Sequence, residues 1–100
     1  MNTLISQHDN ILDVSVDGRL DAATSEEFIE KVEKQLNEEV TTIALDCNKL
    51  EYISSAGLRA LMALCDDLSD KEGKIILENV QDQVKEVLKL TGMIELFEFK

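Results

Sequence analysis

Apolar and polar positions alternate with two different periods along this chain, and the change from one to the other predicts its elements. Thr3 to Gln7 and Ile11 to Val16 read as two short strands about the polar turn His8-Asp9-Asn10, a hairpin whose apolar content is carried by Ile11, Leu12, Val14 and Val16. Gly18-Arg19-Leu20-Asp21 breaks that pattern. A helix is expected to start at Thr24 or Ser25, with Glu27 close behind, Phe28, Ile29, Val32 and Leu36 forming its stripe and Glu26, Glu30, Lys31, Glu33 and Lys34 facing water. Val40 to Leu45 is a β-branched apolar run of strand length, which Asp46 is expected to end as a turn former. Leu58, Leu61, Met62, Cys65 and Leu68 recur at helical spacing, and Gly73 closes that helix. Lys74 to Glu78 reads as a third core strand, Val80, Val84, Val87 and Leu88 as a further helix stopped at Thr91-Gly92, and Ile94 to Phe99 as a last strand.

The order β, β, α, β, α, β, α, β requires crossover connections after the first hairpin. The expected fold is therefore α/β, a mixed and mostly parallel sheet with an N-terminal β-hairpin and helices packed on it. One hundred residues without linker, repeat or low-complexity tract suit a single domain over 1–100. A formal net charge of −11 argues against nucleic acid and anionic membrane as partners, since a chain without a basic patch gains nothing from counterion release. The apolar stretches are strand-sized, and the first residues lack a basic segment followed by an apolar one, so a cytoplasmic protein is expected. Cys47, expected in the turn, and Cys65, on a helix face, are neither CxxC-paired nor near a histidine cluster and read as reduced structural thiols.

Candidate chemistry concentrates where the central strand runs out toward Ser54 and Ser55, at or just before the first turn of the following helix. Four backbone N–H groups without helical partners and a partial positive charge stabilise an oxygen there, and a phosphate more so. An ordinary serine N-cap satisfies the same pattern. Catalysis lacks its parts. The single histidine, His8, lies in the predicted hairpin turn, no base is available to Ser55, and the four glycines are scattered with no phosphate loop. Gly57, just past the helix start, is expected to permit close packing. Asp13, Asp21 and Asp46 could gather at one sheet end, but carboxylates at loop starts serve more often as turn formers and caps, so no metal, cofactor or catalytic residue is assigned.

The stretch Leu45 to Leu64, LDCNKLEYISSAGLRALMAL, resembles the signature of the STAS domain of bacterial anti-sigma factor antagonists, and GRLDAAT (18–24), GKIILEN (73–79) and LKLTGMIELF (88–97) agree in order and spacing. The resemblance implies a protein that binds an anti-sigma factor with serine kinase activity. It also implies partner switching: phosphorylation of one serine by that kinase ends the binding, and a metal-dependent serine phosphatase restores it. The family pattern of an acidic residue, the phosphorylated serine, a small residue, Gly and Leu falls on Ser54, Ser55, Ala56, Gly57 and Leu58, which makes Ser55 the expected acceptor. Ser54 stands where an acidic residue is common and is a competing hydroxyl. Many members of the family continue into a further helix, whereas this sequence stops at Lys100. The expected partner surface joins Ser54 to Arg59, the turn Asp21 to Thr24, and the loop Asp46 to Asn48 at one end of the sheet, with Arg59 read either as a solvated helix residue or as a phosphate or partner contact. A module of the same fold acting as a structural or transporter-associated subunit, with no phosphorylation, is the alternative.

Overall fold

A computed structural model describes residues 1–100 and arranges them as β1 (Asn2–His8), β2 (Ile11–Leu20), α1 (Ser25–Gln35), β3 (Thr42–Ile53), α2 (Ser55–Ser69), β4 (Lys74–Glu78), α3 (Asp82–Leu90), a 3₁₀ turn at Met93–Leu96 and β5 (Glu98–Phe99). The strands line up in chain order, β1-β2-β3-β4-β5. β1 and β2 form the antiparallel hairpin, and every later pairing is parallel, so the mixed α/β fold expected from the element order is the one observed.

Strand alternation sorts the sheet into two faces. Leu12, Val14 and Val16 of β2, Ile43, Leu45 and Cys47 of β3, and Ile75 and Leu77 of β4 are buried together with Phe28 and Val32 of α1 and Leu61, Leu64 and Leu68 of α2. The other face carries Leu4, Ser6, Asp13, Ser15, Asp46 and Glu78 around a shallow depression of about 300 Å³. An antiparallel hairpin on an otherwise parallel sheet tolerates this, since a sheet can meet water on one face if that face is polar.

The largest departure from the sequence reading is in the two central strands. β3 does not end at Asp46 but runs on to Ile53, and β2 does not break at Gly18 but continues to Leu20. The reason lies in the register, which steps from Ser15↔Asp46 to Asp17↔Lys49 and again from Gly18↔Leu50 to Arg19↔Tyr52. At each step β3 holds one residue more than β2, so it carries two bulges, which bend and coil a strand without ending it. Asp46 still behaves as a turn former, its carboxylate accepting the Asn48 N–H at 3.0 Å, but it stabilises the bulge and not a turn. Gly18, at φ +119° opposite Leu50, takes backbone geometry that side-chain-bearing residues avoid.

Three smaller differences follow from packing. Cys47 is a buried strand residue, not a turn residue. Met62 lies 46% exposed, its place in the α2 core taken by Leu64. The C-terminal stretch is mostly a 3₁₀ turn, with Phe97 buried and only Glu98 and Phe99 paired to β4. Gly92 adopts the left-handed conformation expected after the third helix, at φ +75°.

Candidate functional site

The two serines at the start of α2 have separate duties. Ser54 is the N-cap: its backbone is extended, its Oγ accepts the Gly57 N–H at 3.3 Å and donates to the Leu20 carbonyl at 3.4 Å, and its N–H donates to the same carbonyl at 3.0 Å. Ser55 is the first helical residue, exposed, and stands outside these bonds. No acidic side chain occupies the first turn of α2. The positive end of the helix is thus left for whatever lies on Ser55.

Gly57 makes this arrangement possible. A Cβ there would stand 2.5 Å from the Leu20 carbonyl oxygen and 2.8 Å from Ile53 Cγ1, so the glycine lets the first turn of α2 close onto the end of β2, as its sequence position suggests. Gly57 and Leu58 are buried; they position the turn more than they present surface. Ala56 is half-buried and Arg59 exposed.

The Asp21–Thr24 turn lies beside the same Leu20. Asp21 Oδ1 accepts the Ala23 N–H at 3.0 Å, while Thr24 Oγ1 donates to the Arg19 carbonyl at 2.8 Å and accepts the Asp21 N–H at 3.0 Å. Ser25 Oγ donates to the Asp21 carbonyl. This web holds the start of α1 against the end of β2, and α1 and α2 run side by side with their N-termini at this end. Asp21 and Thr24 are therefore joined to the Ser54–Arg59 turn through Leu20.

Asp46 and Asn48 are not brought there. Asp46 sits on the open sheet face, opposite Ser15 and Glu78 and hydrogen-bonded to Asn79 Nδ2 at 3.2 Å. Six residues of strand lie between it and Ile53, about 20 Å of extended chain. The Asn48 carbonyl accepts from Gln81 Nε2 at 2.7 Å, as Glu51 accepts from Gln83 Nε2 at 3.1 Å, which ties the α3 start to the overhanging arm of β3. The expected single cluster is in fact two places. No three His, Cys, Asp or Glu side chains converge as a metal site would require.

Sequence reasoning missed Arg19. Parallel pairing sets it opposite Tyr52, its guanidinium lies 4.2 Å from the Tyr52 ring centroid, and its Nε is 3.7 Å from Asp21 Oδ2. Both side chains are exposed. It is a cation at the end of β2, held between Tyr52 and Asp21, and only the register of β2 on β3 reveals its approach to Tyr52. The thiols offer no nucleophile: burial, reinforced by the negative charges of Asp46 and Glu78, pushes the Cys47 thiol up to about 12, and burial with Asp66 nearby raises Cys65. Across the α1–α2 seam, a hydrogen bond to Asp67, slight burial and the Asp67 charge raise the Glu33 carboxyl.

A five-stranded mixed sheet in chain order, with three helices contributing to its one buried core and the serine-capped second helix closing on the second strand, defines a STAS-type fold, and the STAS domain family model matches residues 2–100. The chain belongs to the STAS domain family. Among its relatives, BtrV of Bordetella bronchiseptica, a candidate anti-sigma factor antagonist, is 27% identical over 97 residues, covering 97% of this chain and 84% of that protein. The anti-sigma-B factor antagonist of Listeria monocytogenes is 24% identical over 89 residues, covering 89% of this chain and 78% of that protein. Of solved structures, the anti-sigma factor antagonist SpoIIAA in its unphosphorylated form superposes with TM-score 0.86 at 20% identity, covering 99% of this chain and 88% of that one. The murine anion transporter Slc26a9 superposes with TM-score 0.76 at 24% identity, covering 90% of this chain and 15% of that one, a likeness of fold alone.

Proposed function

We propose that this protein is a cytoplasmic anti-sigma factor antagonist, binding an anti-sigma factor that is also a serine kinase through the Asp21–Thr24 turn and the Ser54–Arg59 turn, and released from it when Ser55 is phosphorylated. A serine phosphatase resets it. The observation that carries this reading is the division of labour at the α2 start: Ser54 performs the capping, so Ser55 is exposed and unoccupied at a positive helix end. The names of the relatives supply the class of partner.

The energetics suit a switch. A phosphate adds about −1.5 to −2 charges, and at the α2 N-terminus it is stabilising by roughly 0.3–1 kcal/mol, so the fold tolerates it. Within an interface the same dianion loses water beside Asp21, and a penalty of about 4 kcal/mol weakens binding about a thousandfold. Affinity collapses while structure hardly changes.

The test is to incubate the protein with ATP, magnesium and each purified kinase-type anti-sigma factor of its source organism, and to locate added phosphate by mass spectrometry. Phosphate on Ser55, absent in Ser55→Ala and accompanied by lost binding, supports the reading. A folded protein that none of these kinases binds or modifies refutes it and leaves the structural or transporter-associated role.

A further inference from the structure

The two edges of the sheet are built differently. β5, at one end, is only two residues long, holds Glu98 in an ion pair with Lys74 and is followed by Lys100; shortness and charge of this kind protect an edge from pairing with a further strand. β1, at the other end, has neither protection. It runs for seven residues in unbroken register with β2, so no bulge turns it away, and it contains no proline and no Asp, Glu, Lys or Arg. Every second residue of an edge strand directs its N–H and C=O away from its one neighbour. β1 pairs with β2 alone, and none of the backbone bonds made outside the helices and strands involves Asn2–His8. Beside this open row stands Leu4, 68% exposed on the uncovered sheet face. Met1 to His8 is also the longest run of the sequence free of Asp, Glu, Lys and Arg. In a chain of net charge −11, most surfaces that one copy could offer another set carboxylate against carboxylate, and β1 does not. Two flanking charges are already engaged, Asp13 with His8 Nδ1 at 2.6 Å and Glu27 with Lys31 at 3.3 Å.

We infer that β1 is a homodimer contact, at which a second copy of this chain lays its own β1 antiparallel about a two-fold axis and joins the two sheets into one. Full overlap of the strands sets Ile5 against its own symmetry mate, Thr3 against Gln7 and Leu4 against Ser6. The two Leu4 side chains then occupy diagonal positions on the open face, about 7–8 Å apart at the backbone and within reach of each other. Pairing of the free backbone groups and burial of these leucines drive the association. The contact is isologous, and the blunted β5 edge cannot continue the sheet, so assembly stops at two copies. One strand edge buries less than the roughly 1,200 Å² of a standard interface, so dimer and monomer exchange. The inference is independent of the proposed function: the Ser55 turn closes on the ends of β2 and β3, and a β1 contact leaves it free in both copies.

The test is sedimentation equilibrium of the full chain from about 10 μM to about 1 mM, repeated on Leu4→Lys with Ser6→Lys, which charges the β1 edge, and on Leu90→Lys, which charges an apolar side chain 78% exposed at the end of α3. Thermal unfolding of each variant is the fold control. A monomer–dimer equilibrium whose dissociation constant rises at least tenfold in the edge double variant and is unchanged in Leu90→Lys supports the inference. Oxidative cross-linking checks the register: Ile5→Cys should yield a linked dimer, whereas Asn2→Cys, whose symmetry mates stand about 20 Å apart, should not. Should the double lysine variant fail to fold, this cysteine pair carries the test. A chain that stays monomeric throughout the range overturns the inference, as does a dimer indifferent to the edge lysines or broken by Leu90→Lys. A monomer that binds a kinase-type anti-sigma factor, and loses that binding in the edge double variant, makes a strand of the partner the occupant and overturns the homodimer.

Discussion

Adding one methyl group at Gly57 is expected to destabilise this protein, although Gly→Ala within a helix ordinarily stabilises by about 1 kcal/mol. The new Cβ would meet the Leu20 carbonyl oxygen at 2.5 Å and Ile53 Cγ1 at 2.8 Å, whereas unstrained contacts lie at about 3.5–4.0 Å. Backbone cannot rotate away as a side chain can, so α2 must lift from β2 by several tenths of an ångström or more. Overpacking of this kind costs about 1–3 kcal/mol. The same carbonyl accepts the Ser54 N–H and Oγ, so lifting the helix also weakens those bonds, by about 1 kcal/mol in sum. After subtracting the propensity gain, about 1–3 kcal/mol of stability is lost, which lowers Tm by roughly 4–8 °C per kcal/mol in a domain of this size. Thermal unfolding followed by circular dichroism reads this directly, and amide exchange at Ser54 should accelerate beyond the global change. A Tm for Gly57→Ala equal to or above that of the unmodified protein would sink the close-approach argument.

Other expectations can be checked alongside. Ser54→Ala should lower stability by about 1 kcal/mol because the Gly57 N–H loses its cap, while Ser55→Ala should stay within about 0.5 kcal/mol; urea titration separates them, and equal losses would contradict the division of labour. Glu33 is raised chiefly by its hydrogen bond to Asp67, so the native state holds that proton more tightly than the unfolded chain and gains relative stability as pH falls through the Glu33 titration. Glu33→Gln should therefore be slightly more stable at pH 7, by a few tenths of a kcal/mol, with the advantage gone below about pH 4, as Tm against pH will show. Because the unfolded Cys47 thiol ionises near its ordinary value while the folded one waits until about 12, stability should decline as pH rises from about 9 toward 12, and native Cys47 should resist thiol reagents at pH 8 until the protein unfolds. Rapid native labelling of Cys47 would contradict its burial.

The readable parts of the fold are those whose burial is uniform or strictly periodic. α1 and α3 announce themselves because one dry face imposes a single period on them, and the first part of β3, buried on both faces from Thr42 to Leu45, because it is an unbroken apolar run of strand length. The arm from Asp46 to Ile53 does not, because Asn48, Lys49, Glu51 and Tyr52 are exposed while Cys47, Leu50 and Ile53 are buried, and two bulges break the alternation by which a strand is recognised. Met62 misleads for the opposite reason: its spacing suits a core position, but Leu61 and Leu64 already fill that side of α2. Of the candidate site, the serine turn is legible because helix starts have a local chemistry. Arg19 is not, since its approach to Tyr52 depends on the register between strands more than thirty residues apart. The separation of Asp46 from the serines is hidden with the bulges that cause it.

The in-order sheet also has a kinetic meaning. Each strand pairs with the strand before it in the chain, so no late segment must thread between two already formed. Loop-closure entropy is then met in separate steps: the hairpin closes over a two-residue turn, and each parallel crossover spans one intervening α-helix, the last with a short 3₁₀ turn added. Such a chain can add its layers in the order in which a ribosome delivers them. The two-residue β5 contact is then the last formed and the first to open, and its amides should mark the low end of the exchange protection scale.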